Sequence, residues 1–211
     1  MEEILKIISG VCWSLTYIIL IKNGFKYKTY GMPFFALALN LSWEFIYSFY
    51  QFDPSNISLQ RGINILWLLL DVVLLYQYFK YGIKEFVLKN NKLFYLWSIA
   101  VLVICFVVEL LFLQEFGRNY GAKYSAFLQN LIMSILFIDL IYKRKTFFQS
   151  SLRVAVLKWI GTLAPTILFG WDNYFILVIG ILCSFFDIVY ICTIYFYRNK
   201  VVKLRTSNLD F

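Results

Sequence analysis

An all-α membrane protein, a bundle of seven transmembrane helices, is the fold class this chain predicts, and three observations predict it. Apolar residues make up 61% of the 211 positions and charged ones only 15%, outside the balance of a water-soluble domain. Apolar runs of about twenty residues, each enough to cross a bilayer, recur along the whole length. The loops between them are short, and fifteen of the twenty Lys and Arg residues fall in alternate ones. The whole chain, 1–211, therefore reads as a single seven-helix transmembrane domain without an extramembrane catalytic part.

The spans are expected at about 4–21, 31–51, 62–79, 93–113, 122–142, 154–170 and 174–197. Lys22, Lys26 and Lys28 follow the first, and Lys80, Lys84, Lys89 and Lys92 follow the third. Lys143, Arg144, Lys145 and Arg153 follow the fifth, and Arg198, Lys200, Lys203 and Arg205 form the tail. The opposite side holds only Lys6, Arg61, Arg118 and Lys123, with Lys158 inside span six. By the positive-inside rule the N-terminus is outside and the C-terminus cytoplasmic. MEEILKIISG lacks a basic leader and a small-residue cleavage site, so the first run is expected to be retained.

Span one carries only Ser14, Thr16 and Tyr17 as polar chemistry and is assigned to packing. Span two, GMPFFALALNLSWEFIYSFY, begins with Pro33 in its first turn, where a missing N–H is tolerated. Near its middle Asn40, Trp43 and Glu44 share one helical face. Span three repeats that economy with Trp67 and Asp71 four apart, and Tyr78 further along. Glu109 is expected to snorkel from the outer end of span four. Span five has Gln129 and Asn130, and Asp139 is expected to pair with the basic loop. Pro165 is expected to kink span six. Span seven places Asp187 about as deep as Glu44, with Cys183, Ser184 and Tyr190 nearby.

A carboxylate at membrane depth costs about 2.5–3.5 kcal/mol on insertion scales, so it survives where it faces a protein interior, a partner or a cavity. A carboxyl group in an apolar chamber favours its protonated form, more so when a second lies beside it. Such an acid can protonate an epoxide oxygen or an alkene. Six Trp, 16 Tyr and 22 Phe offer faces that stabilise positive charge without attacking it. Histidine is absent and the four cysteines, Cys12, Cys105, Cys183 and Cys192, lack metal-ligand spacing. They read as buried small hydrophobes. The basic loops read as a topology device, with anionic lipid contact, and nucleic acid is not expected.

The Asn40–Trp43–Glu44 pattern, preceded by Gly31, Met32 and Pro33, resembles the second helix of the small integral-membrane terpene cyclases. Asp187 and Tyr190 in CSFFDIVY are similar to the D-x-x-Y pattern of that family's last helix. Fungal members work in meroterpenoid and indole-diterpene pathways, and bacterial members cyclise prenylated indoles. The resemblance implies proton-initiated cyclisation of a linear, often epoxidised prenyl chain, with Glu44 and Asp187 as the catalytic acids. Asn40, Trp43, Trp67, Asp71 and Tyr190 are the expected substrate-binding residues. No DDxxD or DxDD occurs, so no metal and no cofactor is expected. The expected partners are a hydrophobic prenylated substrate and membrane lipid, with the oligomeric state left open. The protein is expected in the cytoplasmic membrane of a bacterium or the endoplasmic reticulum of a fungus.

Bland readings stand beside these. Asn40, Trp43 and Glu44 could be a hydrogen-bond cluster that holds helices together, and Asp187 could pair with Lys158 or Tyr190. A proton-coupled transporter and a sterol-isomerase-like membrane enzyme are the competing functions. Seven spans do not halve evenly and no repeat is evident, which disfavours the first.

Overall fold

The computed structural model describes residues 2–50, 58–144 and 151–207, with side chains described up to Tyr197. Lys145 and the side chains of Arg198, Lys200, Lys203 and Arg205, part of the topology signal, lie outside that set, as do Gln51 and both chain ends. The chain is all-helical: α1 (Glu2–Tyr27), α2 (Phe34–Phe49), α3 (Leu59–Tyr81), α4 (Asn91–Arg144), α5 (Leu152–Gly170) and α6 (Tyr174–Ser207), with one 3₁₀ turn at Gly82–Glu85. Five of the six α-helices are long and apolar enough to cross a membrane.

The helix count differs from the seven expected, for a local reason. The expected spans 93–113 and 122–142 both fall in α4, which runs 54 residues and is interrupted at Gly117, with φ 70° and ψ 175°. Only glycine occupies that backbone region without strain. Nine residues of straight helix would separate Phe112 from Gly121 by about 13.5 Å. Instead a Cβ on Gly121 would stand 2.5 Å from the Phe112 carbonyl oxygen. The long helix therefore doubles back at Gly117. α2 is shorter than expected, at 16 residues. Pro33 is extended (φ −55°, ψ 131°) and sits just before the helix rather than in its first turn, and Tyr50 is extended at the other end.

Each helix has two principal neighbours, and the contacts close a ring in the order α1, α3, α2, α4, α6, α5 and back to α1. The ring is apolar outside: Leu69, Leu96, Val103, Ile181 and Phe185 are all more than half exposed. Its polar groups turn inward, with Glu44, Asp71, Glu109, Lys158 and Asp187 all at 1% exposure or less. That is the inversion a lipid solvent demands. Cys105 and Cys183 are buried as expected, whereas Cys192 is exposed.

α5 continues through Pro165, and the chemistry of the missing bond is visible. Proline cannot donate to the carbonyl four residues earlier, that of Gly161. Ser9 on α1 donates to that carbonyl oxygen instead, at 2.7 Å.

Two glycines test the backbone argument. Gly117→Ala should lower stability by about 1–3 kcal/mol, the range for a forced conformation of this kind. Gly62, in helix α3, has open space where a methyl group would stand, with no atom within 4 Å. It should accept alanine with a gain of about 0.5–1 kcal/mol. Thermal unfolding in detergent reads both, and opposite signs are expected.

Candidate active site

Three helices deliver four polar side chains to one point in the interior. Asn40 and Glu44 come one turn apart from α2, Asp71 from α3 and Tyr17 from α1. The two hydrogens of Asn40 Nδ2 are shared among three acceptors: Asp71 Oδ2 at 3.0 Å, Glu44 Oε1 at 3.2 Å and the Tyr17 hydroxyl oxygen. The Tyr17 hydroxyl in turn donates to Glu44 Oε1 at 3.4 Å. Glu44 and Asp71 are thus joined through one amide nitrogen, each with an oxygen within 3.2 Å of it. Glu44 Oε2 and Asp71 Oδ1 are buried without a hydrogen-bond partner. Among the described residues, neither carboxyl is ion-paired with a Lys or Arg.

Above this cluster lies a cavity of about 610 Å³, lined in part by Trp13, Trp43, Trp67, Tyr47, Phe127 and Phe169, a size typical of small-molecule sites. Its walls come from one end of the bundle: the start of α1 and α3, the ends of α2 and α5, and α4 just after Gly117. Trp13 and Trp67 stand four residues before Tyr17 and Asp71 on helices that run inward from that end. The indoles thus sit one turn, about 6 Å, nearer the mouth than the cluster. Trp67 is fixed by Nε1 donating to Ser14 Oγ at 3.1 Å, and Trp43 by Nε1 donating to the Ala122 carbonyl oxygen at 2.9 Å. Asn40, Glu44 and Asp71 are not themselves on the cavity wall. The tryptophans form the part of its floor that faces the cluster, with Asn130 and Thr162 lining it from α4 and α5.

The model of the family described as Pyr4-like transmembrane terpene cyclases matches residues 1–200. The chain belongs to that family. It is 27% identical over 176 residues to the Pyr4-family terpene cyclase mfmH of Annulohypoxylon moriforme, covering 81% of this chain and 70% of the relative. It is 24% identical over 206 residues to the terpene cyclase pyr4 of Aspergillus fumigatus, covering 90% and 84%. Over 76 residues it is 37% identical to the terpene cyclase ascF of Acremonium egyptiacum, covering 36% and 27%. No solved structure matches the chain.

Within this terpene cyclase bundle the expected acids separate. Asp187 does not meet Glu44 through a hydrogen bond. Lys158 Nζ holds Asp187 Oδ1 at 2.6 Å, both side chains fully buried, and donates a second bond to Ser134 Oγ at 2.7 Å. Asp187 Oδ2 is left without a hydrogen-bond partner. The Lys158 ammonium lies 5.8 Å from the Trp13 ring centroid, so the ion pair backs onto one cavity tryptophan. Tyr190 is fully buried with its ring 5.5 Å from that of Phe137. Asp71, expected among the binding residues, is the carboxyl that lies beside Glu44.

Two expectations outside the site resolve differently. Glu109 is buried rather than snorkelling, because its helix face turns inward at 1% exposure. Asp139 pairs with Lys143 of the basic loop at 2.6 Å, as expected. α1, assigned to packing, supplies both Tyr17 and Trp13. Its Trp13–Tyr17 spacing repeats the Trp67–Asp71 spacing of α3, a signal present in the sequence. Among the described residues, no group of three or more Cys, Asp and Glu side chains is arranged to hold a metal ion.

The buried ion pair gives a direct test. Lys158→Met strands the Asp187 carboxyl and should cost about 3–5 kcal/mol, whereas Lys158→Met with Asp187→Leu should recover most of it. Unfolding of the three proteins in one detergent measures the coupling. A single variant as stable as the wild type would refute the pair.

Proposed function

We propose that this chain is a terpene cyclase that protonates one end of a linear prenyl chain, epoxidised or not, and guides the resulting cation through ring closure. The observation that carries the reading is the Glu44–Asp71 cluster beneath a tryptophan floor. Asn40 has two N–H hydrogens and Tyr17 one hydroxyl hydrogen, against four carboxyl oxygens, two of them without partners. The cluster is short of hydrogens, and a proton held by a carboxyl makes up the deficit. Glu44 is the preferred donor, with Asp71 sharing its proton and Asn40 and Tyr17 orienting both.

The step balances simply. In the reacting complex the chain end reaches Glu44 between the indoles; the Glu44 proton goes to the epoxide oxygen or to an alkene carbon, and a C–O bond or the π bond of the alkene breaks to leave a carbocation. Double bonds of the chain close onto it, and a proton lost at the end restores neutrality. Substrate and product are then isomers, and the step needs neither metal nor cofactor. Trp13, Trp43 and Trp67 present aromatic faces between the chamber and the acids, where cation–π attraction in a desolvated site is worth about 2 kcal/mol per contact. They also exclude water that would quench the cation. Asp187, with Tyr190 on the same helix face, is the second carboxyl of this reading, an ion-paired partner rather than the proton donor. Its Oδ1 is taken by Lys158 and its Oδ2 is open.

The two arms of α4 each cross the bilayer in this reading, giving seven spans with the N-terminus outside and the C-terminus cytoplasmic. The protein is then a multi-pass membrane enzyme that draws a hydrophobic prenylated substrate from the lipid.

Membranes carrying the wild type, Glu44→Gln, Asp71→Asn or Asp187→Asn are given farnesylated aromatic substrates with and without a terminal epoxide. Glu44→Gln should lower turnover by about 10²–10⁴-fold, the usual worth of a positioned general acid, with an unfolding temperature near that of the wild type. Wild-type turnover in a folded Glu44→Gln protein would sink this assignment.

A further inference from the structure

The bundle end that opens into the cavity is the end poor in basic residues, yet its cations are not scattered. Lys6 on α1, Arg61 on α3, and Arg118 and Lys123 on α4 all line the cavity mouth. Among the described residues two carboxylates stand against them, Glu2 on the cavity wall and Glu3 beside it, with Lys123 also within the field of Glu2. Glu2 and Glu3 hold Lys6 at 2.7 and 3.1 Å, which largely neutralises it. The Arg61 guanidinium, in a residue only 7% exposed, donates to the Tyr50 carbonyl oxygen at 3.3 Å. Arg118 and Lys123 are half-buried around the mouth, with the Lys123 ammonium 4.6 Å from the Phe169 ring centroid. Cations set only for the membrane interface would splay outward to water. These converge from three helices on one opening whose deeper wall is aromatic.

We propose that the mouth binds an anionic oxygen acid, so that the substrate is amphipathic: a prenyl tail on the tryptophan floor and an ionised carboxylate or acidic enol between Arg118 and Lys123. The proposal rests on the cyclase reading for the tail and adds the class of the head group. The positive mouth also sets the direction of entry. The charged head stays at the rim, where the cations receive it, and the tail end comes to rest on the tryptophans, one helical turn from the acids.

The test uses a matched pair, a farnesyl-substituted benzoic acid and its methyl ester, with the full-length protein in phosphatidylcholine vesicles at pH 7. Quenching of the cavity tryptophans reads binding independently of turnover. The acid should bind about fivefold more tightly than the ester, the upper worth of a partly exposed charge pair. Arg118→Gln with Lys123→Gln should bring the two dissociation constants within about twofold of each other. Arg118→Lys with Lys123→Arg, which keeps both charges, should retain the preference. Equal binding of acid and ester by the wild type overturns the proposal, as does a preference that survives the double Gln variant. A mouth built for anionic lipid would show no acid preference in phosphatidylcholine and weaker binding of both probes in phosphatidylglycerol, and that too overturns it. Acid-selective binding without cyclisation would instead count against the cyclase reading alone.

Discussion

The Asn40 side-chain amide is the tie on which the interior depends. It reaches a carboxyl from its own helix, a carboxyl from α3 and a phenol from α1. Two carboxyl groups in the middle of an apolar bundle are costly, and association of helices in lipid gains little from the hydrophobic effect. What draws α1, α2 and α3 to one point is therefore this hydrogen-bond network. Its position then dictates where the tryptophans can stand. α1 and α3 run inward from the mouth, so the residues one turn before Tyr17 and Asp71 lie towards the opening, and both are tryptophan.

The opposite wall is fitted to the same floor. α5 can approach α1 closely because Gly161 faces Trp13, where a Cβ would come within 2.8 Å of the indole. Four residues later Pro165 leaves the Gly161 carbonyl without its helical donor, and Ser9 takes the place. A small residue and a proline, each a weakness in an isolated helix, here give α5 a close seat on α1 and a cross-helix hydrogen bond. Lys158, one turn before Gly161 on α5, extends that seam to Asp187 on α6.

The parts of this arrangement legible in sequence are those that involve charge. Glu44 and Asp71 stand out because nothing but an interior site excuses a carboxyl in an apolar run, and Asn40 and Trp43 follow from helical spacing. Tyr17 and Trp13 do not stand out, because neither is charged and α1 otherwise looks like packing. The partner of Asp187 is open in the sequence for a different reason: matching depth on antiparallel helices allows a contact with Glu44 as readily as with Lys158. Only the ring order, which seats α6 beside α5 and α4, decides between them. Helix number hinges on Gly117, whose backbone conformation no periodicity reports. Glu109 shows the same limit, since depth near a helix end does not say which face turns inward.

The Glu44–Asp71 cluster and the Asp187 pair differ in kind, and that difference bears on which of them can give up a proton. Asp187 is matched by a lysine at 2.6 Å, so the pair is complete in charge, and removing a proton from it or adding one leaves a net charge in the interior. Glu44 and Asp71 are matched by an amide and a phenol, neutral donors that leave two carboxyl oxygens open. A proton shared there can leave towards the chamber, and the negative charge left behind then faces the cation it created. Under the cyclase reading that counter-charge is useful as well as unavoidable. It lies beneath the tryptophan floor, within the range of Coulomb attraction in a medium of low dielectric, and is shielded by the indoles from collapsing onto the cation as a covalent ester. The same floor that holds the acid one turn below the chamber thus keeps donor and cation close in energy while holding them apart in space.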